Sequence, residues 1–200
     1  MEVKTSRARR TFNVIVEPTA DCNLGCAYCY KGAQKSNFVL GMEVLRQMAI
    51  GALRYAADHD FACEFIWHGG EPTLAGSSYF RDAFRIIEDL SGDVTVSHSL
   101  QTNGTLLTPE LLDVLATAHV QLGIGLDSAQ PSYHDQSRPS VDRQSSHARI
   151  VSGLRSARSK GIDVGVLMSI TEANAHMVEE MFNFCRQEGV RLGLNPSVPT

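Results

Sequence analysis

Phe12-Asn-Val-Ile-Val16, a short apolar strand, leads into Cys22-Asn-Leu-Gly-Cys26-Ala-Tyr28-Cys29-Tyr30. The C-x3-C-x2-C spacing bends three thiolates round one metal cluster. A cubane iron–sulfur cluster is ordinarily held by four Cys thiolates, so three at this spacing leave one iron open to a substrate. Two other readings of these cysteines are weaker. A structural zinc site needs four ligands closed round the ion, and no second Cys or His pair stands at a partnering distance. A disulfide framework needs an oxidising compartment, which nothing else in the sequence supports.

From Phe12 onward, strand-like runs alternate with helix-like runs, with no repeat and no Pro/Gly-rich linker. The strands read as Phe12–Val16, Phe61–His68, Val94–Leu100, Gln121–Leu126, Asp163–Ile170 and Arg191–Asn195. Between them the helices read as Met42–Ala57, Ser78–Leu90, Pro109–Ala118, Arg143–Ser159 and Ala175–Glu188. Thr108 before Pro109 is an N-cap followed by proline at the first helical position, and Gly161 and Gly189 close the last two helices. Such alternation predicts an α/β fold of parallel strands joined by right-handed crossovers, with helices outside. Five repeats plus a sixth strand suit an open barrel. After the sixth strand the chain runs Pro196-Ser-Val-Pro-Thr200 with no helix to cover it, which reads as a fold truncated there, with an exposed edge.

At 200 residues and 43% hydrophobic, the chain can bury a sizeable core as one domain. Residues 1–11 form a basic arm around Lys4, Arg7, Arg9 and Arg10, and residues 12–200 form the core domain. A net charge of −4 and a pI near 6.0 argue against a nucleic-acid surface. No apolar run reaches bilayer length and none follows the basic N-terminus as a secretion signal would, so the expected setting is cytoplasmic, without a membrane. Cys63 and Cys185 stand alone in apolar stretches and read as buried small hydrophobes. Ser97-His98-Ser99 makes no triad, because alternate strand side chains face opposite ways.

The run Cys22–Tyr30 resembles the cluster loop of the radical S-adenosylmethionine (SAM) enzymes, in which SAM chelates the fourth iron of a [4Fe–4S] cluster. That resemblance implies Cys22, Cys26 and Cys29 as metal ligands and a partial (β/α)6 barrel of TIM-like shape. It also places Tyr28 near the SAM adenine, although the ring could equally cover the cluster from water. In barrels of this kind the chemistry lies in loops at the C-terminal ends of the strands.

Three further segments lie there. Trp67-His68-Gly69-Gly70-Glu71-Pro72 resembles the GGEP segment that contacts the methionine amino group of SAM, although Gly-Gly after a strand is also an ordinary turn. Gln101-Thr102-Asn103-Gly104 resembles the QTNG string of peptide-modifying members, and its amides suit a ribose and an amino acid. Asn103-Gly104 is equally a turn signal. Gly125-Leu-Asp127-Ser128, followed by His134-Asp135-Gln-Ser-Arg138, departs from the related S-L-D-G pattern. Gly125 stands at its Ser position and Ser128 at its Gly position, so a ribose contact would have to come from Ser128. Arg138 matches the arginine that pairs with the SAM carboxylate, or else forms a loop ion pair of little worth.

Together these strings resemble SPASM-type maturases of ribosomal peptides, and sulfatase-maturing enzymes nearly as well. The resemblance implies reductive cleavage of SAM to a 5′-deoxyadenosyl radical that abstracts hydrogen from a peptide or protein substrate. An electron donor such as flavodoxin or ferredoxin is implied too. It names no catalytic base. A reading from another class is an idle iron–sulfur module that recognises a peptide or partner.

Overall fold

A computed structural model describes residues 10–31 and 37–197. Of the basic arm only Arg10 and Thr11 fall within this range; Lys4, Arg7, Arg9 and the final Val198-Pro-Thr200 lie outside the described residues.

Six strands form one sheet in the order β1-β2-β3-β4-β5-β6, every pair parallel. They are β1 (Thr11–Val16), β2 (Ala62–Trp67), β3 (Val96–Thr102), β4 (Gln121–Gly125), β5 (Val164–Ile170) and β6 (Arg191–Pro196). Because sequence neighbours are also sheet neighbours, each crossover advances one strand in the same sense, which is how a barrel wall is built. The wall stays open between β1 and β6, giving the partial barrel. The helices are α1 (Met42–Asp58), α2 (Ser77–Ser91), α3 (Pro109–Thr117), α4 (Pro131–Ser137), α5 (Ser146–Ser159) and α6 (Val178–Glu188). No helix among the described residues is long and apolar enough to cross a membrane.

The core lies between the outer face of the sheet and the helices. Alternation along the strands turns Phe65, Trp67, Leu100, Leu122, Ile124, Val166 and Met168 outward, where all are buried. Trp67 meets Phe80 and Phe84 of α2 edge-on, with centroids 5.5 and 5.6 Å apart, an arrangement favoured by the ring quadrupoles. Cys63 and Cys185 are buried in this layer as expected. So is much of His98, whose Nδ1 accepts from Trp67 Nε1 at 3.4 Å.

Local signals place the helix ends. Thr108 Oγ1 accepts from Leu111 N at 3.2 Å ahead of Pro109, and Gly189 ends α6 in the left-handed region. Two boundaries differ from expectation for backbone reasons. Arg143 has φ 61°, which no helix accommodates, so α5 begins after the cap Ser145, whose Oγ accepts from Ala148 N. Ala175–Met177 is a separate 3-10 turn ahead of α6. The sequence reading contained no helix at α4, a seven-residue helix with Pro131 in its first turn. β3 also runs on through Gln101 and Thr102. Among the described residues no helix follows β6, and Leu194 on its outer face is 47% exposed.

Candidate functional site

The loop after β1 is clamped by backbone on both sides. His68 N donates to Val16 O at 2.8 Å, Gly70 N to Thr19 O at 3.0 Å and Glu71 N to Asp21 O at 2.7 Å, so the β1–β2 ladder continues past both strands. Such closeness requires Gly69 and Gly70. A Cβ on Gly69, whose φ is +123°, would stand 2.5 Å from Thr19 O, and one on Gly70 would overlap the carbonyl oxygens of Ala20 and Asp21. On the other side, Gly25 N donates to Pro139 O and Ala27 N to Ser137 O, while Val141 N donates to Asn23 O. Cys22, Cys26 and Cys29 are all free thiols on this loop, Cys29 exposed and the other two partly buried.

Donors face Cys22, while the buried carboxylates of Glu71 and Asp127 lie near Cys22 and Cys26 respectively. Leu24 N and Asn103 Nδ2 point at Cys22 Sγ, at 3.5 and 3.8 Å. Burial pushes the Cys22 and Cys26 thiols up, while the Arg138 guanidinium pulls Cys26 back down. Among the described residues no three His, Cys, Asp or Glu side chains converge at single-ion distance. Thiolates that each bond a separate iron of a cubane need not converge on one point, so this donor set suits a cluster better than a lone ion.

Glu71 is fully buried, and its carboxylate is occupied. Oε1 accepts from Thr73 N at 3.0 Å, Thr73 Oγ1 at 2.5 Å and Thr102 Oγ1 at 2.6 Å; Oε2 accepts from Asn103 N at 2.6 Å. The buried side chain therefore binds the end of β2 to the end of β3. Asn103 continues the network. Its Oδ1 accepts from Thr105 N and Oγ1, and its Nδ2 donates to Asn23 Oδ1 at 2.8 Å beside Cys22. Gln101 lies back within β3, its amide oxygen above Gly123 of β4, where a Cβ would strike it.

A second network closes the far side. Tyr28 Oη donates to Asp127 Oδ2 at 2.6 Å, and Ser169 N of β5 donates to Asp127 Oδ1 at 3.1 Å. Burial raises the Tyr28 phenol far above its ordinary value, and the Asp127 carboxylate adds to the rise. Arg138, delivered by the end of α4, sets Nη1 3.6 Å from Asp127 Oδ1. Despite the cost of burial, the neighbouring Asp127 carboxylate keeps this guanidinium cationic. It fills the space over Gly125, where a Cβ would come within 2.5 Å of Nη1. A side chain at this position would have to push the end of the Arg138 side chain aside. Ser128 is fully buried, its hydroxyl accepting from Gln130 N at 3.0 Å and donating to Met177 Sδ at 3.5 Å.

Sequence reasoning gave His134 no role and did not single out Asn174. His134 Nδ1 accepts from Asp127 N at 3.3 Å, and Asn174 Nδ2 reaches Asp127 O at 3.4 Å and Ser169 O at 2.9 Å. The H-D-x2-R string carried the signal for His134; nothing local marks Asn174.

Cys22, Cys26, Cys29, Tyr28, Asn103, Asp127 and Arg138 thus come together at one mouth of the barrel. Arg138 Nε is buried there without a partner, an orphaned cationic donor that suits an anionic group such as a carboxylate. Three free thiols and this donor fit the pair of cofactors that the cysteine loop implies.

Comparison with known proteins agrees. The profile of the radical SAM superfamily matches residues 16–185. An uncharacterized protein of Methanothermobacter thermautotrophicus is 29% identical over 189 residues, 94% of this chain and 69% of that protein. A serine-type anaerobic sulfatase-maturating enzyme of Bacteroides thetaiotaomicron is 26% identical over 182 residues, 87% of this chain and 43% of its own length. The solved structure of native anSMEcpe with bound AdoMet and Kp18Cys peptide superposes with TM-score 0.86 at 22% identity, covering 94% of this chain and 52% of that one. The chain thus spans about half the length of these last two relatives. With its three-cysteine loop, partial barrel and profile match, the chain belongs to the radical SAM superfamily, enzymes that use a [4Fe–4S] cluster and S-adenosylmethionine.

Proposed function

We propose that this domain generates a substrate radical on a peptide or protein, in the manner of a ribosomal-peptide maturase. The observation that carries the reading is the meeting of three free thiols with the orphaned donor of Arg138 at the mouth of the barrel. An iron–sulfur cluster held there with SAM would supply one-electron reducing chemistry and, through SAM, hydrogen abstraction from the substrate. The chain's own residues hold and orient. Cys22, Cys26 and Cys29 would hold the cluster, Arg138 would offer its N–H groups to the methionine carboxylate, and Asn103 buttresses Cys22 through its amide. Holding the reacting groups together would make the electron transfer effectively intramolecular. A one-electron protein donor of the flavodoxin or ferredoxin kind would supply the reducing equivalent.

A second reading, oxidation of a Ser or Cys side chain within a sulfatase, is favoured by the name of the Bacteroides relative. Anaerobic incubation with SAM and dithionite tests the common step. The wild-type chain is expected to release 5′-deoxyadenosine and the triple Cys22/Cys26/Cys29→Ala chain none; equal release by both would refute the assignment. Mass spectrometry of peptides with and without Ser or Cys then separates the two substrate classes.

A further inference from the structure

We propose that Asp127 is a positioning residue that locks the cluster loop onto the barrel through Tyr28. The backbone clamps described above hold residues 19–21 and 23–27, but they stop short of Tyr28 and Cys29. Beyond Ala27 the backbone bond among the described residues is the local turn from Cys29 N to Cys26 O, at 3.1 Å, and Lys31 Nζ then pairs with the half-exposed Glu17 carboxylate at 2.7 Å. At Tyr28 and Cys29 themselves the buried long-range anchor is the Tyr28 phenol, 2.6 Å from a carboxylate that is itself fully buried.

Asp127 is suited to that task because every part of it is fixed. Its N–H goes to His134 Nδ1, its carbonyl receives Asn174 Nδ2, Oδ1 receives Ser169 N and lies beside Arg138, and Oδ2 is left for Tyr28. The loop after β1, the end of β4, the end of β5 and α4 therefore meet at one carboxylate. Asp127 is fully buried with both carboxylate oxygens engaged inside the fold, which separates this role from direct binding. Arg138 stands between Asp127 and Cys26, so the same carboxylate also fixes the cation that faces a cluster sulfur.

The test is the rate at which the reconstituted, oxygen-protected protein surrenders iron to a strong chelator, alongside the thermal stability of the apo chain. Tyr28→Phe keeps the ring and removes only the donor. Loss of one charge-assisted hydrogen bond is expected to speed iron release about tenfold, the factor that corresponds to 1.4 kcal/mol. Asp127→Asn should speed release at least as much, and Tyr28→Phe added to it should change nothing further, because Tyr28 acts through Asp127. Unchanged release in Tyr28→Phe overturns the proposal and leaves the ring as a plain cover over the cluster. Additive effects in the double variant overturn it as well, as does a fall in apo stability with release unaltered. Should Asp127→Asn not fold, Tyr28→Phe decides alone. The inference rests on Cys22, Cys26 and Cys29 holding the cluster. A wild-type chain that takes up no cluster overturns both readings, whereas a loaded wild type with an unchanged Tyr28→Phe variant overturns only this one.

Discussion

Replacing Glu71 with Gln preserves shape and removes one acceptor, so it isolates what the buried carboxylate does. Three donors converge on Oε1 and one on Oε2. The new amide group must therefore face Asn103 N–H, since the alternative orientation sets it against three donors at once. Each of the three surviving bonds falls from a charged to a neutral acceptor, a loss of about 1 kcal/mol apiece, and the stranded Asn103 N–H adds about 1–3 kcal/mol. Relief from burying a charge returns part of this. A net destabilisation of about 3 kcal/mol remains, which for a chain of this size lowers Tm by roughly 6–12 °C. Urea denaturation of the apo chain measures it directly. A loss below about 1 kcal/mol would refute the reasoning, because it would mean that the carboxylate is not the tie between β2 and β3.

Other expectations concern the glycine contact and a buried imidazole. Gly70→Ala should lower cluster loading, because its methyl group would displace the backbone of Ala20 and Asp21 just ahead of Cys22; iron content equal to wild type after reconstitution would show that the close approach is dispensable. Burial holds the folded-state pKa of His98 down to about 4, against an ordinary 6.5. His98 therefore stays neutral in the folded chain while the unfolded chain takes up a proton, and its contribution is complete above pH 6.5 and lost as pH falls towards 4. The slope is about 1.4 kcal/mol per pH unit across that window. His98→Gln should flatten the stability profile there, and an unaltered slope would count against the assignment.

The strands, the barrel and the cysteine loop were legible because their signals are local. Alternating apolar runs, Thr108-Pro109 and Gly189 each report the conformation of their own few residues. What the sequence hid is which way buried polar groups turn. Glu71 and Ser128 stand in motif positions that suggest ligand contacts, and nothing local announces the hydrogen bonds they also make to partners remote in sequence or in the next turn. α4 was hidden for another reason: the H-D-x2-R string was read as a loop carrying function, and its seven residues are too few for a clear amphipathic period.

Gly125 and Arg138 show how a departure from pattern becomes intelligible only in three dimensions. Taken alone, glycine where relatives carry serine looks like the loss of a hydroxyl contact. In the structure the guanidinium of Arg138 occupies that very space, so any side chain at 125 and the present position of Arg138 exclude one another. Glycine lets the cation settle between Asp127 and Cys26, buried against both, with Nε still unpaired. A buried guanidinium with an unmet donor is costly unless an anion completes it. Gly125 and the helix end that supplies Arg138 therefore sit directly against one another, and the guanidinium holds a positive charge beside the cluster loop.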